Sequence, residues 1–307
     1  IESCHHNNGY RDFLGTVVVK LSSTPASCHD RGVRRTISAL TTVAAAAVLA
    51  VVTVFVPNLP LWVSPAVLSV LVIGFSIAWP VTVSPTPRWG ISAVLALTGL
   101  ASVWVVSLLP AHVEFSPLAT ELWLAPVGGA AALGVLLIFG VQTFSQPGGL
   151  QRFLATAMLC VGAVIASTTA GWAMLLRQKF EVAQGTLVIE RITGLTWLML
   201  TILVALAVAA LATLLPTRRR NRMIAVVVGA TLVAIIMQVI RPGVLSVPAV
   251  IGAAIAALII ALADSLSESN EAPRESLQHP LTAVALGTGT TIVTGMVGYF
   301  VINVLPW

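Results

Sequence analysis

Along this chain, polar residues are the interruptions. Apolar stretches follow one another at 36–56, 61–80, 91–109, 122–143, 153–176, 193–215, 223–240, 245–264 and 281–304. Each comes close to the about 20 residues that cross a bilayer as a helix. The runs are continuous and rich in Ala, Leu and Val, without the two-residue alternation of an outer-membrane barrel strand. The pattern predicts an all-α polytopic transmembrane helical bundle of nine spans. Eight is the alternative, because the connection at Arg241, Pro242 and Gly243 is short enough for 223–264 to be one re-entrant element.

Two polar segments complete the map. Residues 1–35 read as a cytoplasmic N-terminal tail, and DSLSESNEAPRESLQH at 264–279 as an acidic, Ser-rich cytoplasmic loop expected to be flexible. Residues 36–307 then form a single membrane domain. No methionine precedes Met158, so Val33 is a candidate start if the natural gene opens on GTG, with residues 1–32 an over-extension. The first apolar run follows basic residues as a signal peptide does. It exceeds the roughly 7–15 apolar residues of a signal core, and FVPNLP after it has no small-residue cleavage site, so it reads as a retained helix.

Composition strengthens the membrane reading. Only 9% of the residues are charged and 57% are hydrophobic, against about one-quarter charged in an average soluble domain. Cys4, Cys28 and Cys160 give no paired disulfide framework.

Charge supplies the orientation. Arg218, Arg219, Arg220 and Arg222 in PTRRRNR dominate the net charge of +5. In a soluble protein they would suggest nucleic acid. Between two spans they read as a positive-inside topology anchor, attracted to anionic lipid head groups by about 1 kcal/mol per basic residue. With the N-terminus inside, the cytoplasmic flanks carry Arg31, Arg34, Arg35, Arg88, Arg152, the four anchor arginines and Arg274, ten in all. The outer side carries four, Arg177, Lys179, Arg191 and Arg241. The expected location is therefore a bacterial plasma membrane. The expected partners are the lipid bilayer and its anionic head groups, with a membrane protein or a second copy of the chain besides, and no nucleic acid. Tryptophan gathers at membrane interfaces, and this orientation puts Trp62, Trp123, Trp172, Trp197 and Trp307 near the outer face and Trp79 and Trp89 near the inner one.

Buried ionisable groups in a membrane usually mark a pathway. No carboxylate falls deep within a span, Asp264 closing one at its inner end. That excludes an intramembrane aspartyl protease and weakens a carrier coupled through a mid-membrane acid. What the spans offer is a candidate polar pathway of Ser167, Thr168 and Thr169 in IASTTAGW, Gln238, and Thr288, Thr290, Thr291 and Thr294 in LGTGTTIVTG. The competing and commoner reading is that such hydroxyls bond their own helix backbone. Gly287, Thr291 and Gly295 recur every four residues, as do Ala130 with Gly134 and Gly252 with Ala256, a spacing that favours close helix packing.

The loops add little chemistry. His112, Glu114 and Glu121 in one outer loop read as hydrated, as do Arg177, Lys179, Glu181, Glu190 and Arg191 in another, where a lipid-phosphate clamp is the functional alternative. Cys4, His5, His6, Cys28 and His29 match no zinc spacing, and no phosphate-binding P-loop is present. No catalytic, metal or cofactor residue is assigned, and no cofactor is expected. A faint repetition, LWVSP at 61–65 and LWLAP at 122–126, suggests duplicated hairpins of the kind transporters use. The plainer reading is proline in a helix's first turn.

FSIAWPVTVSPTPRWGISAVLALTGLASV, residues 75–103, resembles a group of uncharacterised multi-pass membrane proteins of actinobacteria, which share a Trp-Pro helix end and a Pro-Arg-Gly turn. QPGGLQRFLATAMLCVGAVIASTTAGW is similar to their next turn and helix, with PGG where they carry basic residues. The resemblance implies lineage and location, and no activity. The reading that follows is a non-enzymatic membrane protein, either a permease-like carrier of a small or amphipathic molecule or a membrane subunit of an envelope complex. The alternative is an enzyme acting on lipid-linked substrate at the outer face.

Overall fold

The computed structural model describes residues 28–55, 58–83, 89–108, 117–145, 150–184, 189–240, 246–268 and 280–304. They form α1 (Cys28–Phe55), α2 (Val63–Ala78) with a 3-10 turn at Trp79–Thr82, α3 (Trp89–Leu108), α4 (Pro117–Ser145) and α5 (Leu150–Thr168). After these come α6 (Ala170–Gln184), α7 (Ile189–Ala212), α8 (Arg219–Ile240), α9 (Val247–Glu268) and α10 (Pro280–Val304). No strand occurs among the described residues. Hydrocarbon offers no partner to a backbone N–H or C=O, so each apolar run closes its own hydrogen bonds as a helix. Pro65, Pro117, Pro248 and Pro280 lie in the first turns of their helices, where the missing N–H costs nothing.

With α5 and α6 counted as one crossing, nine helical stretches among the described residues are long and apolar enough to span a membrane. Arg219–Ile240 and Val247–Ser265 are separate spans packed side by side, so the count is nine rather than eight. The protein is an all-α, multi-pass membrane protein. Its first helix begins at Cys28, inside the expected tail, and α9 carries Asp264 within its last turns rather than in a loop. The rest of the tail and most of the 264–279 loop lie outside the described residues. Pro126 sits in the interior of α4, whereas Pro65 is in the first turn of α2, so LWLAP and LWVSP occupy different helix positions.

The last helix is the hub. α10 is 72% buried over its apolar window, against 17% for α4. On one flank it packs against α1 and α9, which with α7 and α8 form one group. On the other it meets α2, α5 and α6, and α2, α3, α4 and α5 form the second group. Consecutive in sequence, α1 and α2 pack against α10 and barely touch each other.

One face of α9 packs through small residues. α9 buries Ala249, Ala253, Ala256, Ala257 and Ala261 and turns Val247, Ile251, Leu258 and Leu262 outward. Lipid solvates large side chains as well as the protein interior does, so association is driven by close approach of backbones at small residues.

Candidate functional site

The segment IASTTAGW breaks a membrane crossing. Ser167 Oγ donates to the Val164 carbonyl at 2.7 Å, Thr168 Oγ1 to Ile165 at 2.6 Å and Thr169 Oγ1 to Ala166 at 2.8 Å. Three consecutive hydroxyls bonding three residues back compete with the helical ladder and tighten its last turn. The Thr169 N–H also reaches back only to Ala166, at 3.3 Å, and the helix restarts with the Trp172 N–H on the Thr169 carbonyl at 3.1 Å.

Just beyond the break, the backbone lies against α10. A Cβ on Gly171 would stand 2.4 Å from the Met296 nitrogen, and one on Gly295 would stand 2.2 Å from Trp172 Cδ1. Trp172 is 0% exposed, and its Nε1 donates to the Thr291 carbonyl at 2.8 Å. The expectation of an interfacial Trp172 is therefore corrected. Trp79 is likewise buried, its Nε1 on the Met158 carbonyl at 3.0 Å. Both indoles fill seats that glycines leave open, at Gly295 and Gly162, and both polar N–H groups find partners inside. Trp62 and Trp89 are exposed.

The structure brings the two Ser/Thr segments together but leaves no room between them. Thr288 Oγ1 donates to Val284 at 2.8 Å, Thr290 and Thr291 to Gly287 at 3.0 Å, and Thr294 to Thr290 at 2.7 Å. Their hydroxyl protons serve their own helix, and Thr169, Thr291 and Thr294 are fully buried. Gln238 lies elsewhere. Its Nε2 donates to Thr201 Oγ1 at 2.9 Å and its Oε1 accepts the Ser246 N–H at 3.2 Å, which ties α8 to α7 and to the start of α9.

The arginine cluster divides in two. Arg218, Arg219 and Arg220 are exposed. Arg222 is 3% exposed, its Nε donates to Asp264 Oδ2 at 2.9 Å and its Nη1 to the Thr217 carbonyl at 3.1 Å. Arg35 Nε approaches the other Asp264 oxygen at 3.4 Å. A cavity of about 40 Å³, counted as space for water centres, opens beside this group among Arg34, Arg35, Ser38, Thr42, Asp264 and Thr290.

At the opposite end of the bundle, two cations expected in a hydrated loop are inside, because α6 runs on to Gln184. Arg177 Nη1 donates to the carbonyls of Val106 at 3.0 Å and Ser107 at 2.6 Å. Lys179, 1% exposed, donates its Nζ to the Thr53 carbonyl. These acceptors close α3 and α1, where carbonyls lack helical partners and the helix dipole is negative. His112 and Glu114 lie outside the described residues, as do the side chains of Glu121, Glu181, Glu190 and Arg191. Among the described residues no three His, Cys, Asp or Glu side chains gather as a metal site would require.

Where α1 and α2 part, a groove of about 570 Å³ runs between Leu40, Ala44 and Val48 on one wall and Val67, Val70 and Leu71 on the other, with Thr288 of α10 at its floor. Leu40, Val48 and Val70 are exposed along it, so it opens sideways toward lipid. The sequence held no sign of this groove, since it arises from two helices failing to pack. The burial of Arg222 had one sign, a row at intervals of four from Arg222 through Val226, Ala230 and Ala234 to Gln238, which is the buried face of α8. No protein-family model, curated protein or solved structure matches this chain.

Proposed function

We propose that this multi-pass protein is a permease-like carrier of the bacterial plasma membrane, without enzymatic activity, and that its cargo is amphipathic rather than a small polar solute. The observation that carries this reading is the apolar groove between α1 and α2, open to the bilayer. A polar solute needs convergent polar groups around a cavity. Here the mid-membrane hydroxyls bond their own backbone and the helices meet at glycine. An apolar chain entering from the side needs only a groove of the kind α1 and α2 leave.

The test is reconstitution. Protein in lipid vesicles should raise the rate at which a fluorescent single-chain amphiphile crosses the bilayer at least tenfold over protein-free vesicles. Ala44→Trp, which fills the groove from its lipid-facing side, should remove most of that gain while leaving the unfolding midpoint unchanged. A wild-type rate no greater than that of empty vesicles overturns the carrier. The close packing of α6 on α10 favours the second reading, a membrane subunit of an envelope complex. Its mark would be a membrane protein that co-purifies stoichiometrically after mild solubilisation, with no transport by the protein alone.

A further inference from the structure

We infer that the two helix groups tilt against each other on α10, that the α1–α2 groove is the cleft between them, and that Lys179 is the latch holding that cleft narrow at one end. The connectivity of the bundle is the first argument. No helix of the α1, α7, α8 and α9 group packs against α2, α3, α4 or α5 beyond a few residues, and only α10 and α6 join the two groups. The groove takes one wall from each group, Leu40, Ala44 and Val48 of α1 and Val67, Val70 and Leu71 of α2, over Thr288 of α10. A change in the angle between the groups is therefore a change in groove width.

The second argument is how α1 is held along its length. Toward the Arg222 end it is seated on α10, where Thr42 Oγ1 donates to the Gly287 carbonyl at 3.3 Å and a Cβ on Gly287 would stand 2.7 Å from the Ser38 carbonyl. Backbones this close at a small residue form the tightest kind of membrane helix contact, and this seam is the fulcrum. At the other end α6 crosses between the groups. Lys179 donates to the Thr53 carbonyl of α1, and Arg177 on the same helix donates to the Val106 and Ser107 carbonyls of α3. From Thr42 to Thr53 the helix rises about 16 Å, so a tilt of about 18° carries Thr53 about 5 Å.

The third argument is which end can release. The Arg222–Asp264 pair and the Arg35 contact join α8, α9 and α1, all of one group, so they stay whole when the groups tilt. At the Lys179 end the tie is an ammonium on a carbonyl of the last helical turn, and Thr53 Oγ1 is buried beside it without a hydrogen-bond partner. When that end opens, water serves the terminal carbonyl in place of the ammonium. The hydroxyl gains the partner it lacks in the closed arrangement. Solvation therefore offsets separation where the latch sits, which suits a bundle with two discrete packings.

The tilt deepens the carrier reading and rests on it for its purpose, so its test reads geometry rather than transport. In full-length protein with Cys4, Cys28 and Cys160 changed to serine, spin labels are placed in pairs across the two groups. Phe55→Cys with Leu108→Cys reports the Lys179 end, and Leu262→Cys with Phe153→Cys the Arg222 end, all four positions being exposed. Distances are measured by pulsed EPR in lipid nanodiscs. Lys179→Met should lengthen the first distance by about 5 Å, the displacement of the tilt, and leave the second in place. Lys179→Arg, which keeps a cationic donor for the Thr53 carbonyl, should hold the wild-type distance. Thr53→Val removes the orphaned hydroxyl and keeps the carbonyl, so it should raise the unfolding midpoint. The inference is overturned by an unaltered first distance in Lys179→Met, by a second distance that lengthens with it, by a Lys179→Arg distance as long as that of Lys179→Met, or by a Thr53→Val protein that unfolds more readily than wild type. Separation in Lys179→Met, in a protein that moves no amphiphile, sinks the carrier reading and leaves the tilt standing. Amphiphile movement with a first distance that Lys179→Met does not change does the reverse.

Discussion

At one end of the bundle a buried arginine meets a carboxylate, and at the other a buried lysine meets a backbone carbonyl. Arg222 and Asp264 lie on adjacent helices and satisfy one another, with Arg35 at the carboxylate's second oxygen. Lys179 and Arg177 have α6 in common and reach the last carbonyls of α1 and α3, which no helical N–H serves. The first arrangement matches two full charges, each costly to bury without the other. The second sets a full charge against the partial negative charge of a helix end. The ends should therefore respond very differently when one partner is removed, even though each holds a nearly fully buried cation, Arg222 at one and Lys179 at the other. The lesson is that burial alone does not rank a membrane charge; what it faces does.

The largest effect should come from Asp264→Asn. It leaves Arg222 buried beside a neutral amide, a loss of about 3–5 kcal/mol for a broken buried pair, visible as a lower unfolding midpoint in detergent. A drop under about 1 kcal/mol would mean that the ion pair contributes no more than a surface contact and would erase the contrast between the ends. Removing both charges sharpens the point. Asp264→Leu combined with Arg222→Met should recover most of the stability lost in the single variant, because well-packed apolar residues replace a buried pair at little cost. Recovery of less than half would show that the carboxylate's tie to Arg35 matters as much.

At the other end, Lys179→Met should cost only about 1 kcal/mol. The Thr53 carbonyl loses a charged donor, but an ammonium no longer has to be buried. If this variant unfolds as readily as Asp264→Asn, the two ends are held alike. Smallest of all should be the joint change Arg218→Gln and Arg220→Gln, within about 0.5 kcal/mol for exposed positions. These variants should instead lower the fraction of chains inserted with that loop inside, read by protease accessibility of an epitope placed there.

Much of the fold was legible because it depends on sums over short stretches. A run such as residues 193–212 needs no partner to declare itself a span, whereas 223–264 reads equally as two helices or one re-entrant element until α8 and α9 are seen packed side by side. The candidate pathway was half legible. Its two Ser/Thr segments do meet, but the sequence has no record of which side of a hydroxyl faces what, and at Gly171 and Gly295 the two helices are in direct contact. Arg177 and Lys179 were misread as loop residues because charge is usually wet. Their acceptors, Ser107 and Thr53, lie 70 and 126 positions away. Trp172 was assigned to the interface for a similar reason, its glycine seat being on the last helix.

From the sequence alone it follows that this chain crosses a membrane as α-helices, because satisfying the backbone in hydrocarbon is a local problem that each apolar run solves by itself. Its charge bias also sets an expectation for the side of Arg218, Arg219 and Arg220, since solvation of exposed cations needs no tertiary partner. The tertiary structure decided which member of that cluster is buried, where one crossing breaks and where two neighbouring helices stand apart. Each of those outcomes turns on a group supplied from a distant part of the chain, Asp264 for Arg222, Gly295 for Trp172 and α10 for both walls of the groove. Only when the helices are assembled do such partners come within reach.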